Sequence, residues 1–546
     1  MPRSFAPLLA LLLVAPGAAA AATWFRDVTA AWGIDFRHRH GGGGDFYMIE
    51  TMGSGVVILD YDGDGDRDLL FLDSGPLPLD PSARPRHALL RNDGGGRWLD
   101  VTARAGLDQA GYAMGVTAGD VDGDGELDLY VTAFGPNLLL RNRGDGSYEE
   151  VGAAAGVADP SWGASATLFD ADGDGDLDLY VTHYVDFSFA DNVVCGDLER
   201  GLRSYCHPDV YRGLPDRFFR NRGDGTFDDA TAAAGFGQAI GPGLGVVAAD
   251  LDGDGWTDLY VANDMAANFL FHNRGDGTFE EVALLSGTAF SDLGRPEAGM
   301  GIAVGDVDGN GHPDLLVTHL DLQSNALYLN QGGMLFVDGR YEARIAEPSL
   351  YKVGFGVDAA DFDQDGDLDV VVANGHIIHN VEQFGTGTTF AQRNQLFANR
   401  GGGVLREVGS SGLDAVRPSR GLAVGDLDGD GDLDLAINNS DAAAEVYENV
   451  VARPGRWLQI DLAGGGGVGA GGIGAVVSLA SAAGAPRMRE VRTASSYLSQ
   501  NDLTVHLGLG DAAAAEGVEV RWPDGRRQRF ARLPADHRLR LRPPTS

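Results

Sequence analysis

Runs of nine residues, dense in acid and glycine, recur along this chain. The first is Asp60-Tyr-Asp-Gly-Asp-Gly-Asp-Arg-Asp68, five carboxylates in nine residues. Carboxylates that close repel one another unless a cation lies among them. Six more runs follow, at Asp120–Asp128, Asp170–Asp178, Asp250–Asp258, Asp306–Asp314, Asp361–Asp369 and Asp426–Asp434. Positions 1, 3 and 5 offer side-chain oxygens, position 7 its backbone carbonyl, and position 9 a carboxylate able to bind through both oxygens. The candidate ligands of the first loop are Asp60, Asp62, Asp64, Asp66 and Asp68, and of the second Asp120, Asp122, Asp124, Glu126 and Asp128. Those of the third are Asp170, Asp172, Asp174, Asp176 and Asp178, and of the fourth Asp250, Asp252, Asp254, Trp256 and Asp258. The fifth loop offers Asp306, Asp308, Asn310, His312 and Asp314, and the sixth Asp361, Asp363, Asp365, Asp367 and Asp369. The seventh offers Asp426, Asp428, Asp430, Asp432 and Asp434.

Position 6 is glycine in every loop (Gly65, Gly125, Gly175, Gly255, Gly311, Gly366 and Gly431), where wrapping an ion demands a sharp turn. Hard oxygen donors in a flexible loop select Ca²⁺. Up to seven structural Ca²⁺ are expected, with Kd on the order of 10⁻⁴–10⁻³ M or somewhat tighter. An EF-hand is excluded. Position 12, where that loop needs Glu, is Phe71, Val131 or Val181, and the flanks read as strands.

The surroundings of each loop repeat too. Small and β-branched residues precede it (VVIL, GVTAG, IAVG), and β-rich runs follow (LDLYVTA, TDLYVAN, LDVVVAN). Next come an apolar-Arg-Asn step (LLLRN at 138–142, RFFRN at 217–221, FLFHN at 269–273), a Gly-rich turn and a strand such as TFEEV. Four short strands per unit, seven units, predict an all-β fold whose main body is a seven-bladed β-propeller over about residues 24–450. FRDVTAAWGI (25–34) matches the fourth-strand piece that the last unit lacks after EVYEN (445–449). The N-terminal strand is therefore expected to complete the last blade and remove both open edges.

A formal net charge of −38 argues against nucleic acid and anionic membrane as partners. Residues 1–22 read as a cleaved signal peptide, and no other segment approaches a membrane-spanning helix. Export to a secreted, periplasmic or cell-surface location is expected, and there Cys195 and Cys206, the chain's two cysteines, should form a disulfide.

The repeats resemble the FG-GAP/VCBS family, the blades of integrin α-chain propellers and their bacterial relatives. That resemblance implies Ca²⁺ in a loop joining the first and second strand of each blade. After Pro454 the pattern changes. GIGAVV (472–477), SYLSQND (496–502), HLGLG (506–510) and VRWPDG (520–525) resemble the ASPIC/UnbV domain, over about 455–542, with Ala494-Ser495 standing where a more Gly-rich step is usual. Together the two parts look like the cartilage acidic protein family in its bacterial form, which implies a secreted Ca²⁺-binding propeller and no known reaction. The tail ends in arginines (Arg521, Arg526, Arg527, Arg529, Arg532, Arg538, Arg540 and Arg542) that could dock on the acidic propeller or stand in solvent.

Position 14 from each loop start gives Asp73, Ala133, His183, Asn263, His319, Asn374 and Asn439, six of them polar. In a closed ring these form a circle opposite the acidic loops. Beside them come Met114, Leu244, Met300 and Phe355, each before a glycine. A polar circle around apolar residues can be a ligand mouth; equally, Asp, Asn and His cap strand ends and turns. Two insertions, about 183–216 with both cysteines and 376–394 with His376 and His379, are long excursions of the kind that carry binding. No GxSxG, GxxxxGK[ST] or HExxH motif occurs. Ser499, Asn501 and Asp502 with His506 fit polar turn roles more simply than a triad. The expected function is a module binding an extracellular or envelope protein or glycan; the alternative is an enzyme, or accessory to one, using the central mouth.

Overall fold

A computed structural model describes residues 23–545 except 78, 80–84, 109–110, 453–454, 466–467 and 482–483. The expected signal peptide lies outside the described residues. The fold is all-β, a propeller followed by a smaller β tail. Among the described residues from 25 to 449, seven antiparallel sheets with a four-strand path follow one another along the chain. Their first strands are Val56–Leu59, Ala113–Gly119, Gly163–Phe169, Gly243–Ala249, Ile302–Gly305, Gly354–Ala360 and Ser419–Gly425. These strands are almost entirely buried, which is why small and β-branched residues fill them rather than an alternating pattern. Each acidic loop joins the first strand to the second. The seventh sheet takes its fourth strand from the N-terminus: Phe25 pairs with Asn449 and Asp27 with Tyr447.

The tail forms two sheets. In one, Arg456–Leu462 lies between Val505–Gly510 and His537–Leu541, parallel to the latter. The other orders Arg487–Glu490, Val476–Leu479, Ala514–Arg521 and Arg527–Pro534. Their core holds Trp522, Leu458, Ile460 and Val520, and runs without a break into Val121 and Leu168 of the propeller. The two parts therefore share one apolar core.

Between the tail's sheets, Ser495–Asp502 enters the propeller axis. Ser496 exchanges backbone hydrogen bonds with Ile302 at 2.8 and 2.9 Å. The Leu498 carbonyl accepts from Val116 at 3.1 Å, and Asp502 N–H donates to Val424. The Gln500 side-chain oxygen accepts from Ala118 N–H at 2.7 Å and from the Thr117 hydroxyl at 2.8 Å. Gly55 lets this segment approach, because the Leu498 carbonyl occupies the space that a Cβ there would need. Tyr497 and Leu498 end among Met114, Leu244, Met300 and Phe355, capped from the other side by Met48, Ile49 and Met52. The apolar residues meet at the axis as the sequence leads one to expect, but what they surround is this chain's own tail, not an open mouth.

Candidate metal centres and the face opposite them

Each acidic loop is built the same way. The position-6 glycine has φ between 91 and 105°, a conformation that a side chain would strain, and its N–H donates to the position-1 carboxylate (Gly65 to Asp60, 3.1 Å). Position 5 accepts from the position-7 N–H, as Asp64 does from Asp66 at 2.9 Å. Position 9 holds both ends of the loop. Asp68 accepts from Tyr61 N–H at 3.0 Å through one oxygen and from Asn92 N–H at 2.8 Å through the other. Position-7 side chains lean instead toward the outer hairpin; a Cβ on Gly275 would lie 2.6 Å from the Trp256 ring nitrogen, and one on Gly332 3.1 Å from His312. Tryptophan and histidine are thus tolerated where only a backbone oxygen is expected to serve.

The ligand atoms gather. In Asp60, Asp62 and Asp68, in Asp120, Asp122 and Asp128, in Asp170, Asp172 and Asp174, and in Asp306, Asp308 and Asp314, one oxygen from each lies within 4.8 Å of the others. Asp252, Asp254 and His272 form a similar group. One oxygen of each of Asp60, Asp62, Asp120, Asp172, Asp361 and Asp363 is buried with no hydrogen-bond partner. Burial pushes the position-9 acids far up, Asp68 and Asp258 to about 8 and Asp128, Asp178 and Asp314 to about 7. Buried, crowded and under-bonded oxygens are the donor set of a hard divalent cation, and these residues fit Ca²⁺.

The Arg-Asn step, visible in the sequence, acquires its role only here. Arg141 bonds Asp122 at 3.0 Å and Arg220 bonds Asp172 at 3.1 Å, each a position-3 carboxylate. In the fourth sheet His272 takes that place, 3.5 Å from Asp252. The asparagine links neighbouring sheets: Asn142 donates to the Tyr61 carbonyl, Asn221 to Val121, Asn273 to Ala171, Asn330 to Leu251, Asn399 to Val307, Asn449 to Phe362 and Asn92 to Leu427. Every acceptor is position 2 of another acidic loop, so the loops are tied in a closed ring. Sequence reasoning missed this, because each partner lies far off in the chain.

The tail sits on these loops. The position-1 carboxylates receive Ala470 N–H at Asp120 (3.0 Å), Arg521 at Asp250 (2.9 Å) and Gln459 at Asp426 (2.9 Å). Arg67, buried in the first loop, pairs with Asp461 and Asp502 of the tail, each at 2.7 Å. Of the terminal arginines considered for docking, Arg521 reaches the propeller, whereas Arg527 and Arg529 bond Glu519, Arg526 bonds Asp524 and Arg538 bonds Asp461, all within the tail. In SYLSQND, Ser499 accepts from Val56 N–H, Asn501 bonds Asp358 and Asp502 bonds Arg67, so these side chains are spent on the propeller wall.

The six polar position-14 residues are all buried, 1% exposed or less. His183 Nδ1 bonds the Pro215 carbonyl at 2.8 Å and His319 Nδ1 that of Ser324 at 2.9 Å. Asn263, Asn374 and Asn439 donate to Ala267, Arg393 and Ala443. Asp73 accepts from Arg86 N–H and pairs with Arg39. Each side chain holds the turn between the second and third strand of its own sheet. That is the capping role, and it leaves these six no surface to offer a ligand. Part of this face is made by the insertions, where Cys195 and Cys206 are disulfide-bonded beside a short hairpin.

Comparison with known proteins decides the family. The FG-GAP-like repeat family matches residues 60–131, 123–181, 206–261, 250–317, 306–372 and 384–437, more than half the chain. The chain belongs to the FG-GAP-like repeat family. Its tail matches the ASPIC and UnbV family over 467–546. The chain is 28% identical over 495 residues to cartilage acidic protein 1 of Mus musculus, covering 86% of this chain and 70% of that protein. It is 29% identical over 325 residues to the Homo sapiens protein, covering 57% and 45%; that match spans less than half of the human relative. Among solved structures it is similar to a lectin, BP39L, from Burkholderia pseudomallei (TM-score 0.41, 11% identity, 73% of this chain and 97% of that one). It is also similar to YCF48 bound to D1 peptide (TM-score 0.40, 9% identity, 80% and 99%).

Proposed function

We propose that this chain is an exported, calcium-loaded propeller that works as a binding module for an extracellular or envelope protein or glycan. In this reading residues 1–22 are removed, 24–450 form the seven-bladed propeller and 455–542 the tail domain. Calcium is structural, with up to seven ions in the loops starting at Asp60, Asp120, Asp170, Asp250, Asp306, Asp361 and Asp426. The observation that carries the reading is the division of labour between two faces. One face is committed to acidic loops and tail; the other displays a disulfide-stapled insertion with Val194 and Leu198 more than half exposed. Excursions held on a rigid scaffold suit recognition. The disulfide supports an oxidising compartment. An enzyme working in the central mouth would need an open axis, and Tyr497 and Leu498 fill it.

The test has two arms. Native mass spectrometry of residues 23–546 should show bound calcium, up to seven ions, lost to EDTA. Envelope and culture-supernatant extracts passed over the immobilised chain should leave a partner that V194D/L198D no longer retains. A calcium-free chain of unchanged stability would overturn the metal reading, and a partner held equally by V194D/L198D would overturn the choice of face.

A further inference from the structure

The position-9 carboxylates belong to a hydrogen-bonded circuit that runs round the whole propeller. Asp68 accepts from Tyr61 N–H through one oxygen and from Asn92 N–H through the other. The Asn92 amide donates to the Leu427 carbonyl, Leu427 N–H donates to Asp434, and Asp434 accepts in turn from Asn449 N–H. The same three steps recur through each of the other loops, until Asn142 donates to the Tyr61 carbonyl and the circuit closes. Every step is between 2.7 and 3.2 Å long.

The asparagines in this circuit are 5% exposed or less. In six of the seven blades the amide also donates to the position-8 carbonyl of its own loop. Asn221, for example, reaches Leu177 at 3.0 Å in its own loop and Val121 at 2.8 Å in the neighbouring one. Its side-chain oxygen accepts from Gly223 N–H at 3.0 Å, which fixes the end of the amide that carries the donors. Asparagine suits this place because it is short and offers two N–H donors and an acceptor, whereas an aspartate could only accept.

We propose that the acidic loops take up calcium cooperatively, as one ring, with these asparagines as the links. The inference rests on the calcium reading above and adds how the sites act on one another. Asp361 and Asp363, 2% and 6% exposed, each keep one buried oxygen without a hydrogen-bond partner, which points to a cation in the loop. The position-9 carboxylate is the group that ion and circuit share. An ion drawn to it fixes its plane, and with it the asparagine N–H on one side and the position-2 N–H on the other. The asparagine then holds the position-2 carbonyl of the adjoining loop, between that loop's ligands at positions 1 and 3. Part of the ordering entropy of the adjoining loop is spent before its own ion arrives, and that is positive cooperativity. Charge works the other way, because each ion weakens the field that draws the next. Salt at about 0.15 M screens that effect beyond about 8 Å, while hydrogen bonds in series act by contact.

Native mass spectrometry tests it, on residues 23–546 stripped of calcium and titrated back at about 0.15 M salt. Compact charge states alone are counted, so that global unfolding is not read as linkage. At half-saturation, chains with few or no ions should coexist with nearly full ones, with a Hill coefficient of about 2 or more. The double variant N142A/N273A cuts the circuit into two arcs, one of the second and third loops and one of the other five. These should fill separately, so partly filled species rise and the Hill coefficient falls, while the full complement is still reached at high calcium. A purely structural role for the asparagines would lower stability without redistributing the ions. The inference is overturned if the native chain fills with a binomial spread, or if folded N142A/N273A fills as the parent does. A chain that takes up no calcium overturns the metal reading itself, so the two failures are told apart. Should the variant not fold, the spread in the native chain decides alone.

Discussion

The side-chain amide of Asn92 reaches the Leu427 carbonyl at 2.7 Å, joining the first acidic loop to the last across 335 residues of sequence. Six equivalent asparagines repeat the contact around the ring, and with Phe25–Asp27 in the seventh sheet they make closure a property of loops as well as strands.

Asn92→Ala removes a donor from the buried Leu427 carbonyl and should cost about 1–3 kcal/mol. Because the ring is cyclic, Asn221→Ala, in the middle of the sequence, should cost about as much. Denaturant midpoints at constant m-value give the comparison; a penalty confined to Asn92 would show that closure, not the repeated staple, carries the effect.

Asp216 should make stability fall as pH rises. It accepts from His183 N–H at 2.8 Å and from the Tyr180 hydroxyl at 2.9 Å, and burial pushes it up to about 7. Since its folded value exceeds its unfolded one, the folded state binds the extra proton between about pH 4 and 7, and stability declines through that window by about 1.4 kcal/mol for each pH step of one. The equivalent acceptors elsewhere are Asn137, Asn268, Asn325 and Asn394. Asp216→Asn should therefore leave stability near that of the parent at pH 4.5, raise it at pH 8, and flatten the slope between. Unfolding curves across that range would show it.

Calcium and the tail should be coupled through shared carboxylates. Asp120→Ala should lower the calcium count in native mass spectra and also speed amide exchange at Ala470, whose N–H that carboxylate accepts. Saturating calcium should raise the native chain's melting temperature, each site adding about 2.7 kcal/mol at one hundred times its Kd. Unchanged exchange at Ala470 would separate the two effects.

Tyr497→Ala should cost about 3–5 kcal/mol, the scale of emptying a packed aromatic site. Tyr497 is fully buried, its ring 4.9 Å from that of Phe355. Because propeller and tail share one core, calorimetry should record a single transition in the parent; two separated transitions would contradict that core.

Local chemistry was readable from the sequence, and long-range pairing was not. The acidic loops, their glycines, four strands per unit and the N-terminal strand's place beside residues 445–449 all follow from spacing and composition. The Arg-Asn step was visible as a pattern, but the asparagine's partner belongs to another sheet. His183 and His319 read as well as ligand-face residues as they do as caps until the turn that each holds is known. Nothing in SYLSQND announces an axial segment, because its polar side chains bond to a wall built from other sheets. The close approach at Gly55 is the trace it leaves, and a glycine there has many other uses.

The axial segment also sets a schedule. The ring needs residues near 449 to pair with residues near 25, and the axis stays unfilled until residue 498 arrives. Contacts so distant in sequence make for slow folding. A chain halted at residue 450 would carry a closed ring whose bore, lined by Met114, Leu244, Met300 and Phe355, opens to water on the tail side. Truncation there would thus turn a plugged scaffold into one that self-associates, so a stretch synthesised after the ring also seals it.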